Sequence, residues 1–169
     1  MILVDGKPLM YKSEIIIKVG EKIGNGNYLI PTLTTLTYSS YLLNLNKAGD
    51  ALKEALISGA LSGIIADVIK VGTSRGRPRV SEPFSWFNYD RFPDSEYWSF
   101  PSGHTALAAG ASFSLYLKFR GALKLFFLVP PVLTALSRIM TLSHWPSDVI
   151  FSLILGFLIA KGGERWCGK

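Results

Sequence analysis

The sequence predicts an all-α polytopic membrane bundle, with about five transmembrane helices plus an N-terminal amphipathic helix lying at the interface. Three observations carry this. Hydrophobic residues make up 49% of the 169 and charged residues 18%, a lower charged fraction than an ordinary soluble domain has. The apolar residues gather in runs at about 28–45, 51–69, 103–119, 122–140 and 147–161, close to the length of ~20 residues that crosses a bilayer. Basic residues fall between these runs rather than in a stripe interleaved with aromatics. The net charge of +6 therefore does not point to nucleic acid.

Taken in order, residues 1–27 are mixed. Ile15, Ile16, Ile17, Val19 and Ile23 alternate with Lys12, Glu14, Lys18, Glu21 and Lys22, the pattern of a short interfacial helix. Gly24-Asn25-Gly26-Asn27 ends it, and the start, MILVDGKPLMYK, lacks the basic and apolar regions of a secretory signal. The first long run is rich in Leu, Thr and Tyr, and Asn44 to Asp50 forms a turn after it. The second run carries Gly59 and Gly63 at the spacing that permits close helix packing. Residues 70–102 break the pattern with prolines, glycines, charges of both signs and many aromatics. A connection this long is usually functional, and its aromatics suit a membrane–water boundary. A lone cysteine, Cys167, excludes an internal disulfide framework and a cysteine-based metal site. The length fits one domain spanning 1–169, with 1–27 as its interfacial segment and 70–102 as its active-site loop.

Alternation of the runs puts 44–53, 118–124 and the C-terminus on one side. That side holds Lys47, Lys53, Lys118, Arg120, Lys124, Lys161, Arg165 and Lys169, which the positive-inside rule makes cytoplasmic. The opposite side is nearly as basic, so the bias holds only if several of its cations are committed to a site.

Polar residues concentrate at three places on that opposite side. Lys70 and Arg77-Pro78 stand just past the second run, with glycines between them. They suit a phosphate clamp, though taken alone a basic membrane flank is the preferred reading. Pro101-Ser102-Gly103-His104 opens the third run. Ser102 is a favoured N-cap, and a helix start offers free N–H groups to an anion. His104 in that first turn could pass a proton to a leaving oxygen, or be incidental. Ser137-Arg138 closes the fourth run, and His144 and Asp148 follow with Pro146 suited to a first helical turn. Asp148 could fix the imidazole tautomer and free the other nitrogen to attack; a purely structural ion-pair cluster is the alternative. The chain has two histidines, and both are expected at this one membrane face beside Lys70, Arg77 and Arg138.

Lys70-x6-Arg77-Pro78, Pro101-Ser102-Gly103-His104 and Ser137-Arg138-x5-His144-x3-Asp148 together resemble the three-part signature of the type 2 phosphatidic acid phosphatase superfamily. The resemblance implies His144 as nucleophile through a phosphohistidine, Asp148 orienting it, and His104 as general acid and then base. It implies that Lys70, Arg77, Ser102, Gly103 and Arg138 hold the phosphoryl oxygens. Arg75 and Arg79 are candidates for the lipid headgroup. No acidic cluster invites Mg²⁺, so no metal and no cofactor is expected. Membrane members of the superfamily usually have six helices, and the shortfall falls on residues 1–27.

The function expected is that of a phosphatase acting on a phosphorylated membrane lipid, with no obligate protein partner. Compact size and short connections resemble bacterial members, which places the chain in an inner membrane with its site on the extracytoplasmic face. Lipid A 1-phosphate is weakly favoured over undecaprenyl diphosphate, phosphatidylglycerophosphate and phosphatidic acid. A vanadium haloperoxidase and a non-catalytic lipid-binding scaffold are the remote alternatives.

Overall fold

A computed structural model describes residues 3–4, 7–8 and 10–167, with side chains over 13–164. The side chains of Arg165, Cys167 and Lys169, and several positions before Met10, therefore lie outside the described residues. Leu3–Val4 and Lys7–Pro8 pair antiparallel. Six α-helices follow: α1 Met10–Gly24, α2 Gly26–Leu42, α3 Asn46–Thr73, α4 Gly103–Lys118, α5 Val129–Met140 and α6 Pro146–Cys167. The run expected at 122–140 divides into a 3₁₀ segment, Ala122–Leu128, and α5.

Local chemistry sets the boundaries. Asn25 separates α1 from α2, and its side-chain oxygen accepts from the Asn27 amide at the α2 start, as an N-cap does. Ser102 does the same for α4, with Thr105 as donor. Paired prolines, Pro130 and Pro131, open α5, where their missing N–H groups cost nothing. α3 ends at Ser74, whose φ of 39° is left-handed, a common way to stop a helix.

Among the described residues, three helical segments are long and apolar enough to cross a membrane: Asn46–Thr73, Ala122–Met140 and 146–164. α2 and α4, at 17 and 16 residues, are shorter. The distribution of residue types also fits a bilayer. Large aliphatics face outward, with Ile64 61%, Val68 69% and Leu158 60% exposed. The fully buried positions are small or polar instead: Ala55, Ser62, Ala66, Thr105, Ala106, Thr134 and Ser152. Water would favour the reverse, whereas hydrocarbon gives helices no hydrophobic reason to hide leucines and rewards close backbone approach.

That approach is made along α4, which lies between α3 and α6. The Gly59–Gly63 face of α3 packs on Leu107 and Ala111 of α4, as the spacing predicts. A Cβ on Gly110 would sit 2.5 Å from the Ser58 carbonyl oxygen, and one on Gly156 of α6 would sit 2.6 Å from the Gly110 amide nitrogen. Backbone cannot yield as a flexible side chain can, so Gly110→Ala must push α4 away from α3. Its expected cost is ~1–3 kcal/mol, read as a lower unfolding midpoint in detergent.

The amphipathic helix expected near the N-terminus is α1. It docks on α5 at Gly20, whose absent side chain leaves room for the Leu133 backbone, and the Ser137 hydroxyl donates to the Ile17 carbonyl at 2.9 Å. α1 thus supplies the sixth helix that the apolar runs alone leave out.

Candidate functional site

One end of the bundle gathers the C-terminal ends of α3 and α5 and the N-terminal ends of α4 and α6. Lys70 lies in the last turn of α3, where Asp67 pairs with it at 2.8 Å. Its ammonium lies against the head of α4: a Cβ on Gly103 would be 2.8 Å from Lys70 Nζ. His104 follows in the first turn of α4, half-buried. The charges of Arg138, Lys70, His144 and Arg77 all bear on it. Three cations and two imidazoles from separate parts of the sequence therefore meet at one place.

Arg138 sits in the last turn of α5 and is buried. Its Nη2 lies 3.4 Å from the Ser137 hydroxyl and 3.5 Å from Glu21 of α1. Arg77 is half-buried in the connection after α3. Burial, together with the like charges of Arg79 and Arg138, pulls its pKa below the ordinary arginine value. Arg77 and Arg138 each keep a buried Nε with no protein partner, as Arg75 also does. A buried N–H left so is costly, and an anion's oxygens would satisfy it.

His144 is held from two sides. Its amide and that of Ser143 both donate to the Arg138 carbonyl, at 3.2 and 3.1 Å, which fixes the loop to the end of α5. Its Nδ1 lies 2.6 Å from the Ser99 carbonyl. A carbonyl only accepts, so Nδ1 carries the hydrogen and Nε2 of the neutral ring keeps its lone pair. Burial lowers the His144 pKa, and the charges of Lys70 and Arg77 act in the same direction. The ring is therefore neutral, with a nucleophilic nitrogen, at physiological pH.

Asp148 stands beside the same ring nitrogen, and its carboxylate acts on His144 against the lowering by burial. Its Oδ2 is 3.8 Å from His144 Nδ1, longer than the 2.6 Å contact from Nδ1 to the Ser99 carbonyl. Pro146 begins α6, so Asp148 falls where a capping-box carboxylate reaches back, and it accepts from the Trp145 amide at 2.9 Å. It also accepts from the Ser99 hydroxyl at 2.5 Å and from the Arg75 guanidinium.

Three other expected residues stand elsewhere. Arg75 does not face a headgroup. It is 5% exposed and bound to Asp148, to Ser147 Oγ at 2.8 Å and to the Pro83 carbonyl at 2.7 Å. Arg79 lies on the surface, forked onto Glu96 by two contacts of 2.5 Å. That pairing raises the Arg79 pKa and lowers that of Glu96, so the guanidinium is committed to the protein. Ser102 is inside the wall, 0% exposed, with its hydroxyl 2.9 Å from that of Thr105. It shapes the helix start rather than presenting a hydroxyl, leaving the Gly103 and His104 amides at the head of α4 as the donors nearest an anion.

Ser99 and Glu21 are site residues that sequence reasoning missed, while Arg75, expected at a headgroup, meets the site through Asp148 instead. Ser99 acts through a backbone carbonyl that every residue type possesses, so no sequence signal marks it.

A cleft of about 340 Å³ opens at this end. Lys70, Gly103 and His104 form its polar head, and Ile30, Ile64 and Leu107 line its apolar part between α2, α3 and α4.

Comparison with known proteins agrees with this arrangement. The chain is 31% identical over 96 residues to a protein named lipid A 1-phosphatase from Rhizobium johnstonii, covering 56% of this chain and 39% of that one. It is 30% identical over 96 residues to the protein of the same name from Rhizobium etli, covering 56% and 41%. The matched part thus spans about two-fifths of these relatives' length. In fold, the chain resembles the crystal structure of Aquifex aeolicus LpxE at a TM-score of 0.64 and 19% identity, covering 95% of this chain and 89% of that one. The sequence profile of the PAP2 superfamily matches residues 51–167, which include both imidazoles and all three cations, and the chain belongs to that superfamily.

Proposed function

We propose that this membrane protein is a lipid phosphatase that removes a phosphate from a lipid headgroup through a phosphohistidine on His144. One observation carries the reading: two imidazoles and three cations gather at one end of the bundle, and His104 and Lys70 among them line a cleft whose other walls are largely apolar. A phosphate monoester whose lipid tail remains in the bilayer has the matching polarity.

In the first displacement His144 Nε2 bonds to phosphorus as the bond to the leaving oxygen breaks, and His104 gives that oxygen a proton. In the second, His104 takes a proton from water, the oxygen attacks phosphorus, and the P–N bond breaks to release inorganic phosphate and neutral His144. Lys70, Arg77, Arg138 and the amides at the head of α4 hold the phosphoryl oxygens, since phosphoryl transfer is governed by positioning and charge stabilisation.

Lipid A 1-phosphate is the favoured substrate, because both Rhizobium relatives carry that activity in their names. The expected location is a bacterial inner membrane with the site on the extracytoplasmic face. The positive-inside argument supports this orientation, because Lys70, Arg75, Arg77, Arg79 and Arg138 are engaged in the site or in ion pairs rather than serving as free flanking charge.

Assay of purified protein against a panel of lipids tests the reading. Phosphate release is expected from lipid A 1-phosphate at a higher kcat/KM than from undecaprenyl diphosphate or phosphatidylglycerophosphate, and undiminished by EDTA. Failure on every lipid, or loss in EDTA restored by Mg²⁺, contradicts it. The pH profile is a second check. Attack requires neutral His144, and its pKa is below the ordinary value. As pH falls, the acid limb of kcat/KM should therefore appear below the ordinary histidine value of ~6.5.

A further inference from the structure

We propose that Asp67 is a specificity-determining residue: its carboxylate, beside Lys70 in the substrate cleft, admits a phosphate monoester and turns away a diphosphate. The inference rests on the phosphatase reading and names the class of lipid phosphate that the same site takes.

Asp67 lies less than two turns before the C-terminal end of α3, inside a segment apolar enough to cross a membrane. A carboxylate in such a segment is costly unless it has a partner or a task. Its partner is Lys70, one turn on, whose Nζ donates to Oδ1 at 2.8 Å. The two side chains are unequally placed. That of Lys70 is 15% exposed and that of Asp67 69%, so the carboxylate is the outer member of the pair, and it lines the cleft. An ionised carboxylate has about four acceptor positions, and the contact with Lys70 leaves most of them facing outward.

Gly103 shows how near this charge comes to the phosphoryl site. A Cβ there would be 2.8 Å from Lys70 Nζ and 3.1 Å from Asp67 Oδ1. The ammonium and the carboxylate together fill the space that a side chain at the head of α4 would take, next to the amides that hold the phosphoryl oxygens in the proposed reaction.

Which end of the substrate meets Asp67 follows from the two histidines. In-line displacement puts the leaving oxygen opposite His144, and His104, which protonates that oxygen, lines the cleft. The leaving group therefore lies on the cleft side, with Asp67. In a monoester the atom beyond the leaving oxygen is an uncharged carbon. In a diphosphate it is a second phosphorus, whose oxygens bring negative charge to the carboxylate. Among the described residues Lys70 is the one lysine or arginine in the cleft lining, and Asp67 already draws on its charge. Ile30, Ile64 and Leu107 offer nothing to offset a second phosphate.

An ion pair one helical turn apart can also be structural, and as such is worth little. A pair that only fixed Lys70 would serve every substrate alike, which separates the two roles.

The test measures kcat/KM on phosphatidic acid, a monoester, and on undecaprenyl diphosphate, for wild type, Asp67→Asn and Asp67→Glu. Asparagine keeps an oxygen to accept from Lys70 and removes the charge; glutamate keeps the charge. In Asp67→Asn the ratio of diphosphate to monoester turnover should rise about tenfold, the size expected for one charge acting across a partly hydrated cleft. Asp67→Glu should keep most of the wild-type discrimination. Calorimetric titration with inorganic phosphate and pyrophosphate makes the same comparison without turnover, and pyrophosphate should gain affinity relative to phosphate in Asp67→Asn.

Equal changes on the two lipids in Asp67→Asn would reduce Asp67 to a support for Lys70. Discrimination lost in Asp67→Glu as fully as in Asp67→Asn would remove charge as the cause. Either result, or a pyrophosphate affinity that does not move relative to phosphate, overturns the proposal. A wild type that releases phosphate from no lipid sinks the phosphatase reading, and the pyrophosphate comparison then decides the role of Asp67 by itself. A wild type that does release it, with the ratio unmoved in Asp67→Asn, sinks only this inference.

Discussion

Replacing His144 with alanine should abolish phosphate release, a loss of at least about 1,000-fold, while the bundle stays folded. The two halves of this expectation have separate causes. The imidazole supplies the nitrogen to which phosphorus is transferred, since the Ser99 carbonyl holds the hydrogen on Nδ1 and leaves Nε2 its lone pair. The loop that carries it is held by backbone bonds from Ser143 and His144 to the Arg138 carbonyl, which alanine keeps. What folding loses is one hydrogen bond to Ser99 and some packing, about 1–2 kcal/mol. Phosphate release and the thermal midpoint, measured on the same preparation, distinguish a dead site from an unfolded one. Persistent turnover in a folded His144→Ala protein would remove the nucleophile assignment.

His104→Ala should rank second, with a loss of about 100- to 10,000-fold whose size depends on the leaving group. A lipid sugar or glycerol oxygen is a poor leaving group and needs His104 to protonate it. A p-nitrophenolate departs without help. With p-nitrophenyl phosphate the variant should still release p-nitrophenol in one stoichiometric burst. It should then stall, because the water that clears the phosphoenzyme has lost its base. Equal loss on both substrates, with no burst, would assign His104 to binding instead of proton transfer.

These expectations draw on residues that differ in how legible they were. The end of the bundle that carries the site was readable, because Lys70, His104, Arg138 and Asp148 each mark the polar end of an apolar run, and buried charge in a membrane protein is rare without a purpose. Close packing at Gly59 and Gly63 was readable for a similar reason, since spacing alone puts both on one helical face. The closer partner of His144 was not. His144 and Asp148 are four apart, which invites a contact between them, and Asp148 does stand beside Nδ1. But the shorter contact to that nitrogen comes from the Ser99 carbonyl. Ser99 and Arg75 reach the site from the connection between α3 and α4. Its path depends on contacts up to 73 residues apart in the chain, which no local pattern records. α1 escaped the apolar runs because it is too polar to be one, and it joins the bundle by docking its own Gly20 on α5 instead.

The most direct measurement is to mix the protein with phosphorus-labelled lipid, quench under alkaline conditions that preserve phosphohistidine, and locate the label by peptide mass spectrometry. The account predicts stoichiometric label on Nε2 of His144, discharged by water over time and retained longer in His104→Ala. Label on any other residue, or turnover with no labelled enzyme at any quench time, would contradict it.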